Sequence, residues 1–494
     1  MEISSILEGL YSLLQWPNIG YLILGVLVGS FFGLVPGLNG IVAVALFLPL
    51  IWELEMIAAI AILVGIVTSV QTANTFPAIL FNIPGTPTAA ATLLDGFPMA
   101  KKGEAARALA AAFIASGLGG ILSAVLLGLS IPIIRPLVLL FSSSERFMLI
   151  LMGIMLIATL DQGNRSKGMI AALMGFLIST VGLAPSVNVD RFSFDMNYFI
   201  QGIPMVPLVM GLYGLAELID MMGKKSISES ASLQKRNGAQ LWQGIADAFR
   251  HWKVVIRGGT IGALIGAIPG LGGTAAAFFA YGAEARNKHQ NFGQGNVVGV
   301  IAPESANNAS QSGEFIPTLA FGVPGGGTTA VMLTAFMILG YQPGPSALTT
   351  QLPMTMSIIW GIALANVLAV ILCFALLRPF ASLTKVRSSI LVPVIMLFVI
   401  FGSLSTTLTY YDLTVTLLFG LLGYVMMKND WPRAPLLVAF VLGKLAEQYF
   451  FLSYQNYGWW FLSRPIVVVL LLVMVLTGIG LWWSANSSKR GDGL

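Results

Sequence analysis

The chain has 494 residues, of which 56% are apolar and only 10% charged, against roughly 25% charged in ordinary soluble domains. That composition excludes a soluble globular protein. It removes nucleic acid from the expected partners as well, because a net charge of +5 is what loops between membrane spans carry.

The single cysteine, Cys373, lies in an apolar run, so no disulfide framework exists within the chain. His251 and His289 stand in basic polar segments, and neither forms a Ser/His or Cys/His pairing. The chain is therefore not expected to be an enzyme, and no cofactor is expected beyond Na+ as a coupling ion. Glu2 and Glu8 precede the first long apolar stretch where a secretory signal would be basic. The expectation is mature protein from Met1.

In chain order, Ile3, Ile6, Leu7, Leu10, Leu13 and Leu14 fall at helical spacing and Trp16-Pro17 closes the segment. Residues 1–17 are read as an interfacial helix. Residues 18–222 form a first transmembrane repeat, with spans over 19–35, 41–51, 57–70, 105–134, 147–160, 169–181 and 199–219. Residues 223–253 are a basic linker holding Lys224, Lys225, Lys235, Arg236, Arg250 and Lys253. Within it Leu241, Trp242, Ile245, Phe249 and Trp252 mark an amphipathic helix, and the basic residues place the linker in the cytoplasm. A second repeat, 254–450, supplies spans over 254–268, 274–281, 297–303, 328–340, 354–377, 390–401, 413–427 and 435–449. Residues 451–494 add a final span and tail. The spans are continuously apolar rather than alternating, so they are helices and not barrel strands. The fold class expected is an all-α polytopic membrane protein of about 12 spanning segments.

The two halves repeat each other. Gly29, Gly33, Pro36, Gly37, Leu38 and Gly40 return as Gly262, Gly266, Pro269, Gly270, Leu271 and Gly273. Gln71, Pro77, Phe81, Pro84, Gly85, Thr88 and Ala90 return as Gln311, Pro317, Phe321, Pro324, Gly325, Thr328 and Ala330. Proline removes a backbone donor and glycine frees φ, so helices should break at these points into re-entrant hairpins. Paired breaks in corresponding places of two hydrophobic halves point to a transporter's central site. The repeats are pseudo-symmetric, and an inverted arrangement is preferred over a parallel one.

Three groups of residues carry the chemistry. The broken loops Pro36, Gly37, Asn39 and Gly40, with Gly270, Gly272 and Gly273, free carbonyls for a cation and N–H groups for an anion. The loops Pro84, Gly85 and Thr86, with Pro324, Gly325, Gly326 and Thr328, open helices as anion cradles that could hold separate carboxylates of one substrate. Asn74, Asn307 and Asn308 join them as substrate ligands. Gln71, Thr72, Glu304, Ser310, Gln311 and Glu314 are polar groups too costly for hydrocarbon unless they face a cavity or one another, and are assigned to cation coupling. A Na+ ion is expected near Gly37, Thr72, Gly270 and Asn308. Asp95-Gly96, with Lys101, Lys102, Gly103 and Arg107, is read as a solvated loop or as the anchor of a moving hairpin. An intramembrane enzyme and a passive anion channel are the alternative functions.

Pro36-Gly37-Leu38, Asn82 to Pro87, Leu94 to Gly103, Ala302 to Ala309, Ile316 to Leu319 and Val323-Pro324-Gly325 together resemble the large membrane subunit of the tripartite tricarboxylate transporters. The resemblance spans both repeats. It implies secondary active uptake of a small di- or tricarboxylate across the bacterial inner membrane by Na+ or H+ symport. It further implies a small four-span membrane subunit and a periplasmic solute-binding protein as partners. Membrane lipids and a second copy in a homodimer complete the partners expected. Alternating access, preferably an elevator stroke, is the motion expected. Asn39 replaces a usual glycine and Glu314 a usual small residue. Asn39 would add a donor toward substrate, and Glu314 would titrate and make coupling proton-dependent.

Overall fold

The computed structural model describes residues 3–35, 38–160, 165–185, 189–222, 238–286, 291–377, 388–404 and 407–477. Pro36 and Gly37, with the Na+ ligand role given to Gly37, lie outside the described residues, as do linker residues 223–237 and tail residues 478–494. Among the described residues the chain is helical apart from one antiparallel pair, Gly182–Leu183 with Asp190–Arg191.

The helices on either side of both Pro-Gly positions are separate. Helix Asn18–Leu34 ends at extended Val35, and helix Gly40–Phe47 starts behind Asn39, whose Oδ1 accepts from the Val42 N–H at 3.1 Å. In the second half helix Trp252–Gly266 gives way to Gly272–Ala285 through Gly270 and Gly272, at φ 86° and 64°. Only glycine takes that left-handed turn at low cost. Arg257 and Glu284 pair at 2.7 Å across the open ends of these two helices, so the segment leaves on the side it entered. The glycines before each break serve packing instead. A Cβ on Gly29 would strike the Ile66 carbonyl, and one on Gly262 the Ala306 carbonyl at the matching position of the other half. Small residues at such points let helix backbones approach closely.

The second pair of breaks is also duplicated. Helix Thr75–Phe81 ends at Asn82 with φ 58°, and Val298–Phe321 ends at Gly322 with φ 69°. The following N–H, of Ile83 or Val323, reaches back to the carbonyl of Pro77 or Pro317, each at 3.3 Å. This is the left-handed cap that reverses a helix end. The span expected over 297–303 is in fact the start of a helix running to Phe321 through Pro303 and Pro317. Its polar stretch has low hydropathy, but those side chains are buried within the bundle, so helix persists where apolar content does not.

Packing between halves is reciprocal. Helix Ala105–Leu139 lies on Val298–Phe321, and Leu352–Ala375 lies on Met56–Ala73. Likewise Gly238–Arg250 lies on Ala105–Leu139, as Ile3–Leu14 does on Leu352–Ala375. Arg107 secures the first of these, pairing with Asp247 at 2.6 Å and Glu104 at 3.0 Å. Ile3–Leu14 meets Asn18–Leu34 at a 71° bend, at the expected Trp16-Pro17 corner.

Among the described residues, six helices are long and apolar enough to cross a membrane, or seven with the bent pair counted as one span. The expected span over 328–340 is the short helix Gly327–Ile338, and of the final span the described part is helix Pro465–Thr477. Leu129, Ile133, Leu173, Phe279 and Trp460 stay largely exposed, the outer face of a multi-pass membrane protein.

Asp95 is not in a solvated loop. It is fully buried within helix Ala90–Lys101, and its Oδ1 accepts from the N–H groups of Gly295 and Asn296, each at 2.8 Å. The Tyr281 hydroxyl donates to Oδ2 at 3.0 Å. A carboxylate at a helix start is favoured by the free N–H groups and the dipole there. Asp95 therefore caps the chain entering Val298–Phe321, and Lys102 adds a bond to the Gln294 carbonyl at 2.6 Å.

Candidate functional site

The two later loops sit on equivalent residues of their own halves. A Cβ on Gly85 would lie 3.0 Å from Asn74 Cβ, and one on Gly325 would lie 2.7 Å from Glu314 Cβ. Asn74 and Glu314 occupy the same repeat position. Asn74 Nδ2 donates to Thr86 Oγ1 at 2.7 Å and to Gln71 Oε1 at 3.1 Å. Glu314 accepts from Thr329 Oγ1 at 3.3 Å and Gln311 Nε2 at 3.4 Å, while the Gly326 N–H donates to Thr329 Oγ1 at 2.9 Å.

The early loops then seat on the late loops of the opposite half. A Cβ on Gly40 would lie 3.5 Å from Thr328 Cγ2, and one on Gly273 would lie 2.9 Å from Thr88 Cγ2. At the centre Gln71 Nε2 donates to Gln311 Oε1 at 2.9 Å. Gly270 N–H reaches the Gly325 carbonyl at 2.9 Å. Breaks from opposite halves of the sequence thus converge on one point. Asn39, Thr88, Gly272, Gly326 and Thr328 remain half-exposed above a buried floor of Gln71, Asn74, Ser310 and Gln311.

Beneath the loops lies a second polar cluster. Asn308 Nδ2 donates to Asn366 Oδ1 at 2.6 Å, Ser116 Oγ at 3.1 Å and Thr72 Oγ1 at 3.2 Å. The Oδ1 atoms of Asn74, Asn307 and Asn308 are buried without a hydrogen-bond partner. Buried carbonyl oxygens left unmatched are costly unless something meets them. Neutral oxygens of this kind are hard donors that suit an alkali cation; the open ones belong to Asn74, Asn307 and Asn308, whereas Thr72 Oγ1 already meets Asn308 Nδ2 and Ser116 Oγ.

Glu304 is set apart from the loops. Fully buried, it accepts from Thr92 Oγ1 at 2.6 Å and Thr75 Oγ1 at 2.7 Å, joining Val298–Phe321 to both arms of the first hairpin. Ser310 donates to the Asn307 carbonyl at 2.7 Å and would meet any side chain on Gly273. Pro84 stands exposed at its loop tip, whereas Pro324 is buried.

Sequence reasoning missed Ser116 and Asn366. Each is a lone polar residue in a long apolar helix, and polar side chains inside membrane spans are the available signal.

A family profile described as the tripartite tricarboxylate transporter TctA family matches residues 19–438. An uncharacterized 52.8 kDa protein in the TAR-I ttuC' 3' region of Agrobacterium vitis is 32% identical over 476 residues, covering 95% of this chain and 94% of that protein. An uncharacterized protein in the TAR-II ttuC' 3' region of the same organism is 36% identical over 191 residues, covering 38% of this chain and 78% of that protein. No solved structure matches.

Proposed function

Given that the chain belongs to the tripartite tricarboxylate transporter TctA family, we propose that it performs secondary active uptake of a small di- or tricarboxylate, with substrate and coupling cation held between the paired loops. The observation that carries this reading is the crossed seating of Gly40 on Thr328 and Gly273 on Thr88 around the Gln71–Gln311 bond. Each half supplies part of every cradle. A site built this way can be exposed to one side at a time when the body carrying it moves, which favours an elevator stroke.

Helix boundaries support an inverted repeat. Basic residues cluster where Ala90–Lys101 ends and Ala105–Leu139 begins, at Lys101, Lys102 and Arg107. They recur at Arg165 and Lys167, through Lys224 to Arg257, at Arg378, Lys385 and Arg387, and at Lys428 and Arg433. With these ends in the cytoplasm, five crossings follow the first break in each half. An odd number turns the second half over. Ile3–Leu14 holds one acidic and no basic residue and goes to the periplasm, while Gly238–Arg250, with Arg250, goes to the cytoplasm. The broken hairpins and the final apolar helix make up the rest of the roughly 12 segments.

The transporter works in the bacterial inner membrane with a small four-span subunit and a periplasmic binding protein, and Na+ or H+ drives it. Uptake of labelled citrate, tartrate and succinate by membrane vesicles holding all three components tests the reading. Asn308→Ala and Thr328→Ala should each abolish uptake in protein that still inserts. Uptake preserved in both variants defeats the proposed site.

A further inference from the structure

The loop-bearing helices are flanked by a second body. Ser143–Leu160 and Arg165–Ser179 pack on Ala434–Tyr457, and Met205–Met222 packs on Ser388–Leu404 and Tyr410–Lys428. Arg433 pairs with Glu217 at 2.7 Å and ties the two sets into one frame. The frame meets the two early hairpins at different heights. Leu156 and Ile157 lie against the tip of the second hairpin, where a Cβ on Gly270 would stand 2.6 Å from the Leu156 carbonyl. Arg135-Pro136 and Arg378-Pro379 set a register in which Val399 is the equivalent of Leu156. Val399 is found not at the first tip but with Leu46, nine residues past Gly37, the equivalent of Gly270. Both side chains border Gly214, and Leu46 lines one hollow with Leu397 and Phe398. Leu46 is accordingly 3% exposed, while Phe279, its repeat equivalent, is 62% exposed.

We propose that the chain stands at one end of its stroke, with the loop-bearing body displaced toward the cytoplasm, and that the opposite end is reached when this body slides about 13 Å and brings Phe279 to Leu156. The proposal deepens the elevator and inverted-repeat readings above and rests on them. Its length follows from a helical rise of about 1.5 Å per residue over the nine residues that separate the two contacts. At mid-stroke an inverted repeat would meet the frame at equivalent residues of both halves. Its direction follows from where the hairpins open, the first to the periplasm beside Ile3–Leu14 and the second to the cytoplasm beside Arg257 and Glu284. The frame meets the first hairpin near its opening and the second at its tip, so the body lies low. Exchanging Leu46 for Phe279 against the frame costs little, because lipid tails cover whichever apolar face is released. Two packings of similar energy are what a switching interface requires.

The test is cysteine cross-linking of the full-length chain in membrane vesicles holding all three components, in a Cys373→Ala background. One variant carries Leu46→Cys with Val399→Cys, the other Phe279→Cys with Leu156→Cys. A disulfide needs Cα atoms within about 7 Å, so the second pair, about 13 Å out of register, joins only in the opposite state. Both pairs are expected to form disulfides under mild oxidation, identified by mass spectrometry of the digested chain. Either link is expected to abolish uptake of labelled citrate, tartrate or succinate, and dithiothreitol to restore it. Where a double variant is inactive even when reduced, Phe398→Cys replaces Val399→Cys and Met155→Cys replaces Leu156→Cys. A second pair that never joins, in a variant active when reduced, overturns the stroke, and so does a link at either pair that leaves uptake unchanged. Uptake of none of the three acids by the wild type overturns instead the transport reading on which the stroke rests.

Discussion

Gln71 and Gln311 stand 240 residues apart and share one 2.9 Å hydrogen bond at the point where the halves meet. They are the same repeat position facing itself. Gln71 also accepts from Asn74 and Thr88, and Gln311 donates to Glu314, so this bond links the floor of one cradle to the floor of the other.

Gln71→Ala and Gln311→Ala should each lower stability by about 1–3 kcal/mol, because each leaves a buried amide unmatched. The double variant should cost less than the sum, since the second change removes the orphan left by the first. Melting temperatures of the three variants in detergent measure this coupling.

Gly325→Ala should fail where Gly322→Ala is mild in contact terms. A Cβ on Gly325 would lie 2.7 Å from both Cα and Cβ of Glu314, whereas one on Gly322 finds nothing nearer than 3.9 Å. Overpacking of the first kind costs about 1–3 kcal/mol. The φ of 69° at Gly322 adds strain of about 1–2 kcal/mol. The expected separation is in uptake: lost in Gly325→Ala, retained in Gly322→Ala protein that reaches the membrane.

Asp95→Asn should weaken the entry to helix Val298–Phe321. The side chain now accepts from two backbone N–H groups and the Tyr281 hydroxyl. An amide cannot accept at both ends, and the loss should be about 1–3 kcal/mol. Faster hydrogen exchange at Gly295 and Asn296 in the variant would report it.

Cys373 is buried and is the only cysteine, so Cys373→Ala provides a background for topology. In it, Glu8→Cys should react with an impermeant maleimide from the periplasm and Gln243→Cys only after the cytoplasmic face is opened. Labelling of both from one side contradicts inversion.

Much of this architecture was legible in sequence because its signals are local. Pro-Gly pairs break helices whatever surrounds them, and both copies of each break lie where the motifs stand. The polar stretch before Pro317 was legible as a polar cluster but not as a helix, because hydropathy cannot register hydroxyls and amides that are buried in the interior. Asp95 misled for the same reason. Its neighbours Lys101 and Lys102 suggest solvent, and only the tertiary fold brings Gly295 and Asn296 to its carboxylate. Ser116 and Asn366 escaped because each is a single polar residue in an apolar helix, and their meeting at Asn308 is set by packing between halves.

The polar cluster around Asn308, proposed to hold the driving cation, gives a further expectation. Asn366→Ala removes the acceptor that orients the Asn308 amide at 2.6 Å. It should raise the half-saturating concentration of the driving cation about tenfold, near 1.4 kcal/mol, with the substrate maximum little changed. Uptake titrated against Na+ at fixed pH, and against pH without Na+, measures it and identifies the ion.

The most direct test places reporters at the crossing itself. In the Cys373→Ala background, Thr88→Cys and Thr328→Cys are reacted with a small thiol reagent in the presence and absence of the acid transported by the intact system. Saturating acid should slow labelling at both positions together, because both threonines border one site. Labelling at either position that is indifferent to the acid contradicts a binding site between the paired loops.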